Sequence, residues 1–71
     1  MKSFRQFEIQ PYLLGFPIGP AIRMNGTDVI SAAERLFRVR LVRSGRLGQL
    51  KAYVTYLDDE HRSVRVRLYK H

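Results

Sequence analysis

Two alternating runs near the C-terminus constrain the fold most: LKAYVTYL (50–57) and SVRVRLYK (63–70), joined by the charged pentapeptide DDEHR. Side chains of a strand point to opposite faces at every second residue, and two such runs separated by a short polar turn read as an antiparallel hairpin. The alternation predicts one face of Leu50, Ala52, Val54, Tyr56, Val64, Val66 and Leu68, and an opposite face of Lys51, Tyr53, Thr55, Arg65, Arg67 and Tyr69. The first face belongs in a core. The second carries charge and phenol rings, which either solvent or a polyanion can satisfy.

A lone hairpin is at best marginally stable in water, so the rest of the chain must cover the apolar face. The run DVISAAERLF puts Val29, Ile30, Ala33, Leu36 and Phe37 on one stripe at the helical period. Asn25 or Thr27 is the expected N-cap, with Asp28 in the first turn, where a carboxylate meets the positive end of the helix dipole. The helix is expected to continue to about Leu41 or Arg43. FRVRLVR alternates as a strand would, but Leu41 extends the stripe, Glu34 and Arg38 form an i,i+4 pair, and Gly45 stands where a C-terminal cap belongs. Upstream, Phe4, Phe7 and Ile9 space themselves as the anchors of a first strand ended by Pro11, which has no N–H for a ladder. AIRMNG reads as a short second strand closing on the Asn25-Gly26 turn. The predicted order is β-β-α-β-β. This is an α+β fold over a single domain, residues 1–71, with one helix packed on an antiparallel sheet that ends in the C-terminal hairpin.

From Ile9 to Ile22 the chain carries no charge and holds all three prolines together with Gly15 and Gly19, which forbids a helix there. A chain of 71 residues needs most of its large apolar side chains for burial. Leu13, Leu14, Phe16 and Ile18 are therefore expected to fold over the edge of the core. The alternative is an exposed apolar loop in which Tyr12, Leu14, Phe16 and Ile18 dock on a partner protein.

Thirteen Lys and Arg against six Asp and Glu give a formal charge of +7. Such an excess attracts polyanions, so nucleic acid is the expected partner and an acidic protein the alternative. The candidate nucleic-acid-binding residues are Arg38, Arg43, Arg46, Lys51, Tyr53, Arg65, Arg67 and Tyr69. Their cations can neutralise phosphate, and tyrosine rings or arginine planes can stack on unpaired bases. The chain has no cysteine, which removes disulfides and thiolate metal sites. Nucleophilic catalysis needs an activated nucleophile beside a base. The only histidines are His61 in the charged turn and His71 at the end, and the serines have no recognisable catalytic neighbourhood. Asp58, Asp59, Glu60 and His61 match neither a calcium loop nor a zinc spacing. No catalytic residue, metal or cofactor is expected, and the chain reads as a non-enzymatic binding module.

No stretch approaches the roughly 20 apolar residues that span a bilayer, and the residues after Met1 lack the apolar run of a signal peptide. A cytoplasmic location, or one inside a particle assembled in a cell, is expected, with no membrane partner. The alternative function is a protein-interaction factor docking through residues 11–22: an inhibitor of a host enzyme carried by a phage or mobile element, or a small subunit of a larger particle.

The stretch LFRVRLVRSGRLGQLKAYVTYLDDEHRSVRVRLYKH loosely resembles the C-terminal half of RelE/ParE-type toxins. That resemblance implies mRNA cleavage or gyrase poisoning with Arg40, Arg65 and Tyr69 as candidates. It covers half the chain, and those families begin with a helical pair where this chain begins with a strand. The predicted element order also looks like small ribosomal domains of the LX type, without matching diagnostic residues. Neither resemblance assigns a family.

Overall fold

The computed structural model describes residues 5–71; the expected anchor Phe4 lies outside the described residues. The elements are β1 (Arg5–Leu13), β2 (Phe16–Pro17), β3 (Ile22–Gly26), α1 (Val29–Phe37), β4 (Leu41–Val42), a 3-10 turn at Leu47–Gln49, β5 (Leu50–Leu57) and β6 (Ser63–Lys70). All strand pairs are antiparallel, in the order β2-β1-β5-β6-β4, with β3 also paired to β1. β2 and β3 are two pieces of one returning strand, interrupted at residues 18–21. One helix on one face of this sheet is the expected α+β architecture, with the short β4 and β2 added. No described helix is long and apolar enough to cross a membrane.

β1 does not end at Pro11. The proline pairs with Ala52 of β5, and its carbonyl accepts the Ile18 N–H at 3.0 Å. In an antiparallel ladder a residue's N–H and C=O point to the same side. The missing N–H therefore falls toward the irregular segment beyond β2 and costs the β5 ladder nothing.

The core lies between α1 and the inner face. Phe7, Ile9, Val54 and Leu68 are fully buried, each contributing about 1.5–3 kcal/mol by leaving water. Phe7 also meets Tyr56 edge to face, with centroids 5.2 Å apart. Ala32 and Ala33 are fully buried on the helix and let it approach the sheet closely. Gly26 matters for that approach, because a Cβ there would stand 3.0 Å from the Ala32 Cβ.

Both helix ends depart from expectation. Asp28 is the N-cap: its carboxylate accepts the Ser31 N–H at 2.9 Å and the Ser31 hydroxyl at 2.7 Å. The helix stops at Phe37 because Arg38 turns into the left-handed region (φ 57°) and returns its N–H to the Glu34 carbonyl. Glu34 spends its carboxylate on the Leu41 N–H at 3.0 Å, which frees Leu41 and Val42 to pair with Lys70 and Tyr69.

Candidate nucleic-acid interface

The hairpin register pairs Tyr53 with Arg67, Val54 with Val66 and Thr55 with Arg65, as the alternation predicts. Between Ala52 and Leu50 the register slips: Ala52 faces Leu68, but Leu50 faces Tyr69, leaving Lys51 as a β-bulge. A one-residue slip exchanges the faces of the residues beyond it. Leu50 therefore joins Tyr69 on the outer face, and Lys51 turns to the helix side, its ammonium 5.2 Å from the Phe37 ring centroid. Expectations for these two residues are thus reversed, and Lys51 leaves the arginine face.

Tyr69 is corrected as well. Expected on an open surface, it is only 8% exposed. The loop from β4 to β5 crosses above it, with Gly45 packed against the base of its ring. Leu50 is buried beside it, outside the main core. The Tyr69 ring is thus unavailable for stacking. Its side chain instead hydrogen-bonds Arg67, which with the nearby Tyr53 holds the guanidinium above its ordinary pKa. At any physiological pH Arg67 is a fixed cation.

What the outer face presents is a short Arg–Tyr array across three strands. The Arg65 guanidinium carbon lies 3.9 Å from the Tyr53 ring centroid, and that of Arg67 lies 5.8 Å away. Tyr12 meets Tyr53 edge to face at 4.8 Å. Continued past Pro11, the alternation of β1 sets Gln6, Glu8, Gln10 and Tyr12 on this face, so Tyr12 was legible as a face residue once β1 was known to run on. Register also brings Arg23 of β3 opposite Glu8. These two line an open recess of about 420 Å³ with Gln6, Thr55 and Leu57. Arg46 stands exposed in the crossing loop, next to Leu47.

Two further candidates lie elsewhere. Arg38 caps the helix, and Arg43 lines a recess of about 150 Å³ with Asp28 and Val29 at the helix N-terminus. The structure thus brings together Tyr53, Arg65 and Arg67, holds Tyr69 beneath them, and leaves Arg38, Arg43 and Lys51 outside.

Charge pairing is concentrated away from this face. Asp58 accepts the Glu60 and Arg62 N–H groups, both at 2.9 Å, and the ion pairs among the described residues are Arg5–Asp59 (2.6 Å), Arg62–Asp58 (3.4 Å) and Arg62–Glu60 (3.0 Å). The acidic turn is thus engaged with itself and with Arg5. Arg23, Arg46, Arg65 and Arg67 make no ion pair among the described residues.

The loop expected over the core projects instead as a hairpin tip. Leu14 and Phe16 are both 73% exposed, and Leu13, Ile18 and Leu47 are exposed with them. Leu14 (φ 51°) and Gly15 (φ 86°) form the two-residue turn, and Leu47 approaches Gly15 from the crossing loop. The Gln10 amide ties this segment down by donating to the carbonyls of Pro11, Ile18 and Gly19.

No protein-family model matches the chain, and no similar curated protein or solved structure was found.

Proposed function

We propose that the protein is a non-enzymatic module that binds nucleic acid through the helix-free face of its sheet, with Arg65 and Arg67 contacting phosphate. The observation that carries this reading is the Arg65–Tyr53 stack at 3.9 Å, beside an Arg67 with no carboxylate partner among the described residues. A guanidinium resting on a ring is held in place while its N–H edge stays free for a bidentate anion. Arg23 lies on the same face opposite Glu8, and Arg46 is exposed in the loop that crosses Tyr69. Backbone contacts position a protein without reading sequence, so no sequence preference follows from these residues.

The test is titration of the purified protein against a labelled random single-stranded RNA and a DNA duplex at two salt concentrations. Affinity should fall steeply with salt, by a log–log slope of about 0.7–0.9 per phosphate neutralised. Arg65→Glu with Arg67→Glu should abolish binding while leaving the circular dichroism spectrum unchanged. Undiminished binding by that pair refutes the proposal.

A second reading is favoured by the apolar tip. Leu14 sits in a left-handed turn position that costs a non-glycine residue about 1–2 kcal/mol, and it is exposed there. Strain of this kind clusters at functional sites. The chain carries no Asp or Glu from Ile9 to Thr27 or from Arg35 to Leu57. The partner this end fits is a protein whose apolar cleft is rimmed by carboxylates. Phe16→Asp would disrupt such a complex more than any arginine change.

A further inference from the structure

We infer that the arginine face takes a single-stranded nucleic acid and stacks one of its bases on the outer plane of Arg65. The inference rests on the nucleic-acid reading of this face and names the form of the ligand.

Neighbouring strands lie about 4.8 Å apart, so β3, β1, β5 and β6 side by side span about 14 Å before any side chain is added. The major groove of a DNA duplex is about 12 Å wide and admits a helix or a two-stranded ribbon. The two smaller dimensions of the molecule, 20 and 19 Å, also exceed that width. α1 packs on the opposite face, so no helix accompanies this surface into a groove.

The hairpin ends offer no alternative entry. One closes on Asp58, Asp59 and Glu60, which phosphate repels, and the other on Leu13, Leu14 and Phe16, whose side chains have no donor for a base edge. An undeformed duplex can therefore touch this face only from outside, through phosphates. A single strand can lay unpaired bases against it.

The platform for such a base is specific. Tyr53 is already covered: Arg65 lies over its ring and Tyr12 meets it edge to face. Tyr69 is buried under the crossing loop. Of the groups packed around Tyr53, Tyr12 is half-buried and Arg67 lies farther off at 5.8 Å, whereas Arg65 is exposed and rests on the ring at 3.9 Å, which makes its outer plane the best-backed platform. Arginine planes stack on bases as aromatic rings do. Arg67, exposed and 5.8 Å from the Tyr53 ring centroid, remains for the adjoining phosphate. Lysine at position 65 would keep the charge and lose the plane.

The deciding experiment is fluorescence anisotropy of the full chain with three labelled probes of equal length: oligo(dT), an abasic single strand, and a mixed-sequence DNA duplex. The expected result is at least tenfold tighter binding of oligo(dT) than of either other probe. Arg65→Lys should weaken oligo(dT) by a larger factor than it weakens the abasic strand or the duplex, and so narrow the gap between oligo(dT) and the abasic strand. Equal binding of the abasic strand or the duplex overturns the stacking inference and leaves the phosphate reading standing. Binding of none of the three removes both.

Discussion

Gly45→Ala should destabilise the protein although the same change usually does the opposite. In a loop, replacing glycine by alanine at a backbone that alanine can adopt narrows the unfolded ensemble and stabilises by about 0.4–1 kcal/mol. Gly45 is outside the left-handed region, so the backbone itself permits alanine. The obstacle is Tyr69. A Cβ at position 45 would stand 2.9 Å from the Tyr69 Cβ, 3.0 Å from Cγ and 3.2 Å from Cδ2. The two nearest atoms sit at the root of the side chain, so turning the ring relieves little. Carbon atoms rest at about 3.5–4.0 Å, and the crossing loop must lift by about half an ångström. Overpacking of this kind costs about 1–3 kcal/mol, and a domain of this size loses about 4–8 °C in Tm for each kcal/mol. Gly48 lies in the same loop with nothing within 4 Å of its would-be Cβ, so Gly48→Ala should raise Tm instead. Thermal melts followed by circular dichroism compare the two variants. A Gly45→Ala protein as stable as wild type, or a Gly48→Ala protein that loses as much, refutes the clamp over Tyr69.

Two further outcomes concern stability. Phe16→Asp, at a side chain 73% exposed, should change unfolding free energy by no more than about 0.5 kcal/mol; a urea midpoint showing a loss above about 1.5 kcal/mol would mean the tip packs on the core. Arg38→Gly relieves the left-handed backbone at the helix end and offsets that gain with a freer unfolded chain, for a net stabilisation of about 0.5 kcal/mol. A lower melting temperature for Arg38→Gly would show that the arginine side chain itself secures the helix end.

The hairpin was legible because its signal is repeated: from Ala52 to Tyr56 and from Val64 to Leu68 every residue agrees with a period of two, and a polar turn separates the runs. The helix was legible from its stripe. Three features were not, and each hangs on a single residue. Nothing in GQLKAY marks Lys51 as the extra residue of a bulge, since alternation reads the same on either side of it. The end of the helix is fixed by Arg38 entering a backbone region that the sequence gives no reason to assign to arginine, while the better candidate, Gly45, is used for close packing on Tyr69. Pro11 signals the end of a ladder, but its missing donor faces a segment that requires none, so β1 runs on and carries Tyr12 to the arginine face. Of the candidate site, Arg65, Arg67 and Tyr53 followed from periodicity alone. Tyr69 and Lys51 did not, because loop coverage and bulge position are tertiary facts.

The acidic turn at residues 58–62 has a mechanical consequence. With Asp58, Asp59 and Glu60 against Arg62 and Arg5, that end of the molecule is formally one unit negative, while the rest of the chain carries eight positive. In the field of any extended polyanion such a body feels a torque as well as a pull. It rotates so that the acidic turn trails, and over about one Debye length, roughly 8 Å at physiological salt, the opposite end, where Leu14, Phe16 and Leu47 project and Arg46 stands exposed, is brought round first. Collisions are sorted by orientation before contact, which raises the fraction that lead to binding.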